Sequence, residues 1–456
     1  MTAITQGPMC VQGFPGWRTT GARPLGEEDC LLLDVNVPIQ PASARLPVLV
    51  EFHGGGYVQG NSESYAGLPL VEASKGNIVI VNVQYRLGAY GFLNAAAVRS
   101  DGTANVGLLD QRSALNWVNR HIQAFGGDPN RVTISGGSAG GGSVTAQMMM
   151  YGGVSNPPFH AAIAEYPWWQ PYHDSATLDS QYKQLLTAAN CSNLACLRSL
   201  PSDQLVTATQ DVYNLGYNSS KQYYGYGDFY FGPSVDGDIL RDLPSNEFKR
   251  GHFTKIPLIT TRNAYEGVSF TNRSVTTLAG LQQDIQTLFP SAKNSFFARL
   301  FQLYPRSAFN STFFQHQQIV GDYIINCPSY YIATALSDYG VPVYKQIFNA
   351  GSQLHGATRD IIFNPAYGFR AGDNATLAAV LKEWYISFVM THNPNNVSNA
   401  QITKPRWPVY LEKAEPGVGG RFQVLQVNQT EIAAVEDADV NAQCDFWHGM
   451  SYVVSN

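Results

Sequence analysis

Gly136-Gly137-Ser138-Ala139-Gly140 stands between a short β-branched run, RVTIS at 131–135, and a segment with a helical tail, GGSVTAQMMMY. No other segment restricts the fold as much. A strand that passes into a helix across a G-x-S-x-G turn bends so sharply that the serine's neighbours must be small. The turn lifts the serine hydroxyl above the sheet, at a helix N-terminus whose dipole favours negative charge. The flanking sequence supplies a sheet to hold such a turn. LLLDVNV at 31–37, PVLVEFHGGG at 47–56, NIVIVNVQYR at 77–86, AAIAEY at 161–166, KIPLITTR at 255–262 and VPVYKQIFN at 341–349 read as strands. The continuous apolar runs among them signal burial on both faces. Residues 107–124 carry apolar positions at the helical period and stop before Phe125-Gly126-Gly127, and 374–392 form an amphipathic helix stopped by Asn393-Pro394. This alternation predicts an α/β class: a mostly parallel, mixed central sheet with helices on both faces. Residues 170–255 are polar and Tyr-rich, with helical stretches near 178–190 and 202–210, and 275–340 are helical. Both read as cap-like insertions within a single domain, 1–456.

Composition excludes several functions. Hydrophobic residues make up 44% of the 456 and charged residues only 14%, enough to bury a large core. Lys+Arg 29 against Asp+Glu 34 leaves −5, without the basic footprint that a nucleic-acid partner needs. No apolar run is long enough to span a membrane as a helix. The six cysteines include no C-x-x-C pair and have no histidine cluster beside them, so no metal site is expected. N-x-S/T sequons begin at Asn190, Asn218, Asn272, Asn310, Asn374, Asn396 and Asn428. With the even cysteine count they favour an oxidising compartment and a secreted glycoprotein. The opening MTAITQGPMC has no apolar h-region, which implies either a cytosolic chain or a missing N-terminus.

His53-Gly54-Gly55-Gly56 ends an early strand. Consecutive glycines let backbone N–H groups face a ligand oxygen without a Cβ in the way. Acyl transfer needs such donors for its tetrahedral oxyanion. Gly55 and Gly56, with the N–H of Ala139 just after the serine, form the expected oxyanion hole.

The chain resembles the type-B carboxylesterase/lipase family, the cholinesterase-like α/β-hydrolases. The matching text is Glu28-Asp29-Cys30-Leu31, His53 to Tyr57, Tyr85-Arg86-Leu87-Gly88, Asn105 to Gln111, Phe125 through Gly141, and more weakly Gln443-Cys444-Asp445-Phe446-Trp447. The resemblance implies an α/β-hydrolase fold, hydrolysis of carboxylic esters and no cofactor. It also implies disulfides joining Cys10 to Cys30, Cys191 to Cys196 and Cys327 to Cys444, from a composition that by itself allows 15 pairings. One departure is Gly137, where the family carries Glu before the serine.

A serine nucleophile needs a base, and the base an orienting acid, in the chain order Ser, acid, His. With Ser138 as nucleophile, His355 resembles the family's catalytic His-Gly and is the expected base, ahead of His392 and His448. Glu266, in a post-strand Glu-Gly, is the expected acid, ahead of Asp236, Asp238 and Asp360. Trp168 and Trp169 are expected to wall the acyl pocket, with 223–231, YYGYGDFYF, adding a hydrophobic rim. Together with Gly137 this points to neutral small-molecule esters with apolar or aromatic acyl groups, rather than choline esters. Two alternatives stand beside this reading. One is a lipase with a small lid between Cys10 and Cys30; the other is a non-catalytic adhesion or binding protein on the same scaffold.

Overall fold

The computed structural model describes residues 6–18, 24–218, 223–368, 372–399, 402–411 and 422–456. Nine strands form one sheet: β1 (Leu33–Asn36), β2 (Leu46–Phe52), β3 (Val79–Val83), β4 (Gly127–Gly137), β5 (Ala161–Glu165), β6 (Leu258–Asn263), β7 (Val343–Asn349), β8 (Gln423–Asn428) and β9 (Ile432–Glu436). Their spatial order is β1-β3-β2-β4-β5-β6-β7-β8-β9. The six inner pairings from β3 to β8 are parallel, and the edge strands β1 and β9 are antiparallel to their neighbours. The sheet is therefore mixed, with a parallel centre, as the sequence predicts. The two strands not anticipated are β8 and β9. They form a hairpin closed by Asn428 N–H donating to the Glu431 carbonyl at 2.8 Å. QVLQVN carries polar residues at intervals, and in β9 the apolar run IAAV is only four residues long and half-buried to exposed, so neither has the long, fully buried apolar run that marks the inner strands.

Strand alternation divides the core into two layers. Leu46, Val48, Val50 and Phe52 of β2 face one hydrophobic cluster with Val79, Val81 and Val83 of β3. Leu49 and Ile80 face the other. Side chains of a strand point alternately to opposite faces, so a sheet covered on both sides must be apolar at every position. Helices Val106–His121, Ala139–Met149 and Cys327–Asp338 contribute to the first cluster. Helices Ala357–Phe363 and Ala375–Thr391 contribute to the second. Between β5 and β6 the chain makes helices Ser175–Ala188 and Ser202–Asn218, and between β6 and β7 helices Leu278–Leu288, Asn294–Leu303, Thr312–Gly321 and Cys327–Asp338. These occupy the two stretches read as insertions.

Disulfides join Cys10 to Cys30, Cys191 to Cys196 and Cys327 to Cys444. The last spans 117 positions in sequence, and a loop of that length constrains the unfolded chain by about 4–5 kcal/mol in the chain-entropy model. Among the described residues no helix is long and apolar enough to cross a membrane.

Candidate active site

Ser138 separates β4 from helix Ala139–Met149 with φ 61° and ψ −127°. A side-chain-bearing residue holds this conformation only where its surroundings impose it, at a strain of order 1–3 kcal/mol. Here they do. Ser138 N–H donates to the Glu165 carbonyl at 3.2 Å, and its own carbonyl accepts from Gly142 at 2.8 Å and from Trp168 at 3.1 Å. Gly140 passes so close to β2 that a Cβ there would lie 2.1 Å from the Phe52 carbonyl oxygen. That is the steric demand legible in G-x-S-x-G. The Ala139 N–H precedes the first i→i−4 bond of the helix, which Gly142 makes to Ser138, so it is free for a ligand at the serine.

Glu266 and His355 come from the loops after β6 and β7. Those strands are adjacent and parallel, with Asn263 opposite Phe348, so their C-terminal loops emerge side by side. An isolated bridge between Tyr265 and Leu354, and Tyr265 N–H on the Gln353 carbonyl at 3.1 Å, fasten the loops together. His355 Nδ1 meets Glu266 Oε2 at 2.6 Å. The other carboxylate oxygen accepts Asn263 N–H at 2.5 Å and Asn263 Nδ2 at 2.8 Å. Glu266 is 1% exposed, so this double anchor fixes a carboxylate that water does not reach. The imidazole stands among Tyr166, Trp168 and Phe270, with ring centroids 4.8, 6.3 and 4.8 Å away. Among the described residues its Nε2 has no hydrogen-bond partner.

Ser138 and His355 line one cavity of about 330 Å³, together with Gly55, Gly56, Trp17, Tyr65, Tyr166, Phe229 and Phe270. Gly55 has φ 112°, and a Cβ there would lie 2.0 Å from the Gln59 carbonyl oxygen. Only glycine fits, which leaves its backbone facing the serine's cavity. His53, which begins the glycine run, is structural. It stacks on Tyr85 at 4.3 Å, and burial pushes its imidazole down to about 4 despite the Gly54 carbonyl.

The rival candidates lie elsewhere. Asp236 holds a turn, accepting Asn105 Nδ2 at 2.6 Å and the N–H groups of Asp238 and Leu240. His392 caps a helix end at φ 57°, and His448 stacks on Tyr331 at 4.0 Å. Asp360 sits within helix Ala357–Phe363, beyond His355. The two tryptophans separate. Trp168 packs behind the cavity wall against Phe229, Phe270 and His355. Trp169 turns away, donating Nε1–H to Thr145 Oγ1 at 3.0 Å and packing on Phe248. Consecutive residues in extended chain point to opposite sides, so both could not face one pocket. Of the Tyr-rich stretch, Phe229 reaches the lining, while Tyr224 and Tyr230 pack in the core. Trp17, Tyr65 and Tyr166 are lining residues that the sequence reading did not assign. Part of the expected lid between Cys10 and Cys30, residues 19–23, lies outside the described residues.

Comparison with known proteins bears on the family and the fold. The model of the Carboxylesterase family matches residues 1–447. The chain is 31% identical to Carboxylesterase patB of Penicillium expansum over 453 residues, 94% of this chain and 76% of that one. It is 30% identical to Lipase 2 of Geotrichum candidum over 442 residues, 89% and 74% of the two chains. The crystal structure of Aspergillus niger EstA superposes with TM-score 0.80 at 26% identity, covering 99% of this chain and 89% of that one. The fold is thus the α/β-hydrolase type of esterases and lipases, and the chain belongs to the carboxylesterase family.

Proposed function

We propose that this protein hydrolyses carboxylic esters through an acyl-enzyme on Ser138. The observation that carries the reading is the 2.6 Å contact between Glu266 Oε2 and His355 Nδ1, on an imidazole whose Nε2 is left for the serine lining the same cavity. Glu266 fixes the ring and stabilises the imidazolium; it need not take the proton. His355 removes the Ser138 proton as Oγ attacks the ester carbonyl, and returns it to the departing alcohol. The N–H groups of Gly55, Gly56 and Ala139 bind the oxyanion. Water then repeats the sequence on the acyl-enzyme. No step needs a metal or organic cofactor.

The cavity argues for neutral, apolar or aromatic acyl groups. Trp17, Tyr65, Tyr166, Phe229 and Phe270 give it a large aromatic surface beside the polar Arg18, Gln59 and Ser269, and Gly137 places no carboxylate beside the nucleophile. Higher kcat/KM for butyrylthiocholine than for a neutral thioester of equal acyl length would contradict this. Lipase activity is the second reading, favoured by likeness to Lipase 2 of Geotrichum candidum and to Secreted lipase 1 of Botryotinia fuckeliana. That last relative and the three disulfides support secretion as well. We further infer that residues 1–456 work as one domain, since described residues of the stretches 170–255 and 275–340 pack into the same cluster as the sheet.

The triad is tested by Ser138→Ala and His355→Ala. Each is expected to lower kcat by several orders of magnitude on a nitrophenyl ester, and the double variant to be little worse than either. Near-parental turnover by folded Ser138→Ala would end the proposal.

A further inference from the structure

Among the lining residues that the proposed chemistry does not use, Tyr166 stands apart by its backbone and its hydroxyl. Tyr166 follows β5 with φ 32°, a positive value unfavourable for an aromatic residue. Its N–H is held by the Thr261 carbonyl at 2.7 Å. The side chain is fully buried, with its ring edge-on to the His355 imidazole at 4.8 Å. Among the described residues its hydroxyl has no hydrogen-bond partner. Phenylalanine would give the same packing without an unsatisfied buried O–H, so packing alone does not account for a tyrosine here.

The position of that hydroxyl is informative. A Cβ built on Gly137 would lie 2.4 Å from Tyr166 Oη and 2.5 Å from Arg359 Cδ. The space beside the nucleophile that a side chain at residue 137 would enter is therefore held by the Tyr166 hydroxyl. Tyr166, Ser138 and His355 line one cavity. Burial, with Tyr65 and Glu165 adding to it, raises the phenol far above its ordinary range. The group therefore stays protonated and acts as a donor.

We propose that Tyr166 is a further catalytic residue, whose hydroxyl holds the water that attacks the acyl-enzyme. This rests on the acyl-enzyme reading above. The water accepts the Oη–H hydrogen bond in one lone pair, donates one of its own hydrogens to His355 Nε2, and keeps its second lone pair for the acyl carbon. As the new C–O bond forms, the water proton passes to Nε2. The tetrahedral intermediate collapses by breaking its bond to Ser138 Oγ, which recovers the proton from Nε2. The products are a carboxylic acid and free serine. Tyr166 gives up no proton, and water is the sole co-reactant. In acylation the nucleophile is Ser138, placed by its own turn, so that step does not call on Tyr166.

The asymmetry between the two half-reactions is the test. With an activated nitrophenyl ester, acylation is the faster step. Tyr166→Phe is expected to lower kcat at least about 10-fold and KM by the same factor, leaving kcat/KM within about twofold. A burst of nitrophenol stoichiometric with enzyme should appear, and fluorophosphonate should label Ser138 at the parental rate. Gly137→Ala, whose methyl would press on the hydroxyl, is a second variant and should give a weaker form of the same split. Parental kcat in Tyr166→Phe would overturn the assignment. So would equal losses in kcat and kcat/KM, which would place the hydroxyl in acylation. Absence of labelling in the parent would instead undo the underlying acyl-enzyme reading.

Discussion

Under the nucleophile, Arg359 donates to Glu165 and to Glu51, while Tyr385 Oη donates to the other Glu165 oxygen at 2.8 Å. Under the acid, Arg262 grips Asp439 with two bonds at 2.7 and 2.8 Å, and Lys345 reaches Asp437 and Asp439 at 2.5 and 2.6 Å. Tyr410 Oη completes the second cluster on Asp437 at 2.7 Å. Both clusters are buried, and each touches a loop that carries a residue of the proposed triad. Glu165 pairs with Gly137 in register and its carbonyl accepts the Ser138 N–H. Arg262 Nη1 donates to the Asn263 carbonyl at 3.3 Å, and Asn263 anchors Glu266. The charge count separates them. The acid's cluster has two cations and two carboxylates. Burial works against ionised Asp439, but Arg262 and Lys345 hold its carboxyl below its usual range. The nucleophile's cluster has one cation for two carboxylates, and burial pushes Glu51 up to about 7, against the pull of Arg359. It balances only while Glu51 keeps its proton. Asp439, held below its usual range, contributes stability that is lost only as pH falls through the acid range, whereas the unbalanced cluster carries a proton-linked cost that appears as pH rises toward 7.

Removing the shared cation should do the most harm. Arg359→Met strands Glu51 and Glu165 together, and a buried charge robbed of its partner costs about 3–5 kcal/mol. Because Arg359 Cδ also fills the space beside Gly137, turnover should fall with stability. Urea midpoints and kcat measured on one preparation check both, and a stable variant with full activity would break the link between cluster and elbow. Lys345→Met should cost about 3 kcal/mol, the lower end of the same range, because Arg262 still neutralises Asp439. Here stability should drop more than kcat/KM; a selective loss of activity would mean that the acid's cluster acts on catalysis.

Glu51→Gln sharpens the contrast with the smallest change. In the unfolded chain Glu51 ionises at its ordinary 4.5, and in the folded chain at about 7. Between those values the folded state holds the extra proton. This contribution to stability is therefore lost as pH rises from about 4.5 through 7. The variant should lack that decline and exceed the parent above pH 7 by up to about 3 kcal/mol. Identical urea midpoints for parent and variant at pH 5 and pH 8 would contradict the charge count.

The elbow could be read from residues alone, because steric exclusion at Gly136 and Gly140 is a local demand. The inner strands could be read for the same kind of reason: burial on both faces leaves an unbroken apolar run. Glu266 and His355 needed the family resemblance, since a single Glu-Gly or His-Gly carries no local signature and the two meet only because β6 and β7 are neighbours. In the hairpin β8–β9, the edge strand β9 escaped because it faces water on part of its surface, and β8 because Gln423, Gln426 and Asn428 break its apolar run. Tyr166 and the buried ions escaped for a different reason. Glu51 in VLVEF and Glu165 in AAIAE are acids inside apolar strands, a sign of a hidden partner, but Arg359 lies 194 positions beyond Glu165. Trp17 and Phe229 likewise arrive at the cavity from distant segments, meeting at 5.4 Å.

The central claim is that Ser138, activated by His355 and Glu266, forms a covalent acyl-enzyme. The most direct measurement is to treat the disulfide-bonded protein with a fluorophosphonate and map the modified peptide by mass spectrometry. The account predicts one adduct, on Ser138, formed in step with loss of esterase activity and slowed by orders of magnitude in His355→Ala. Esterase activity that survives complete labelling of Ser138, or inactivation with the adduct on another residue, would contradict it.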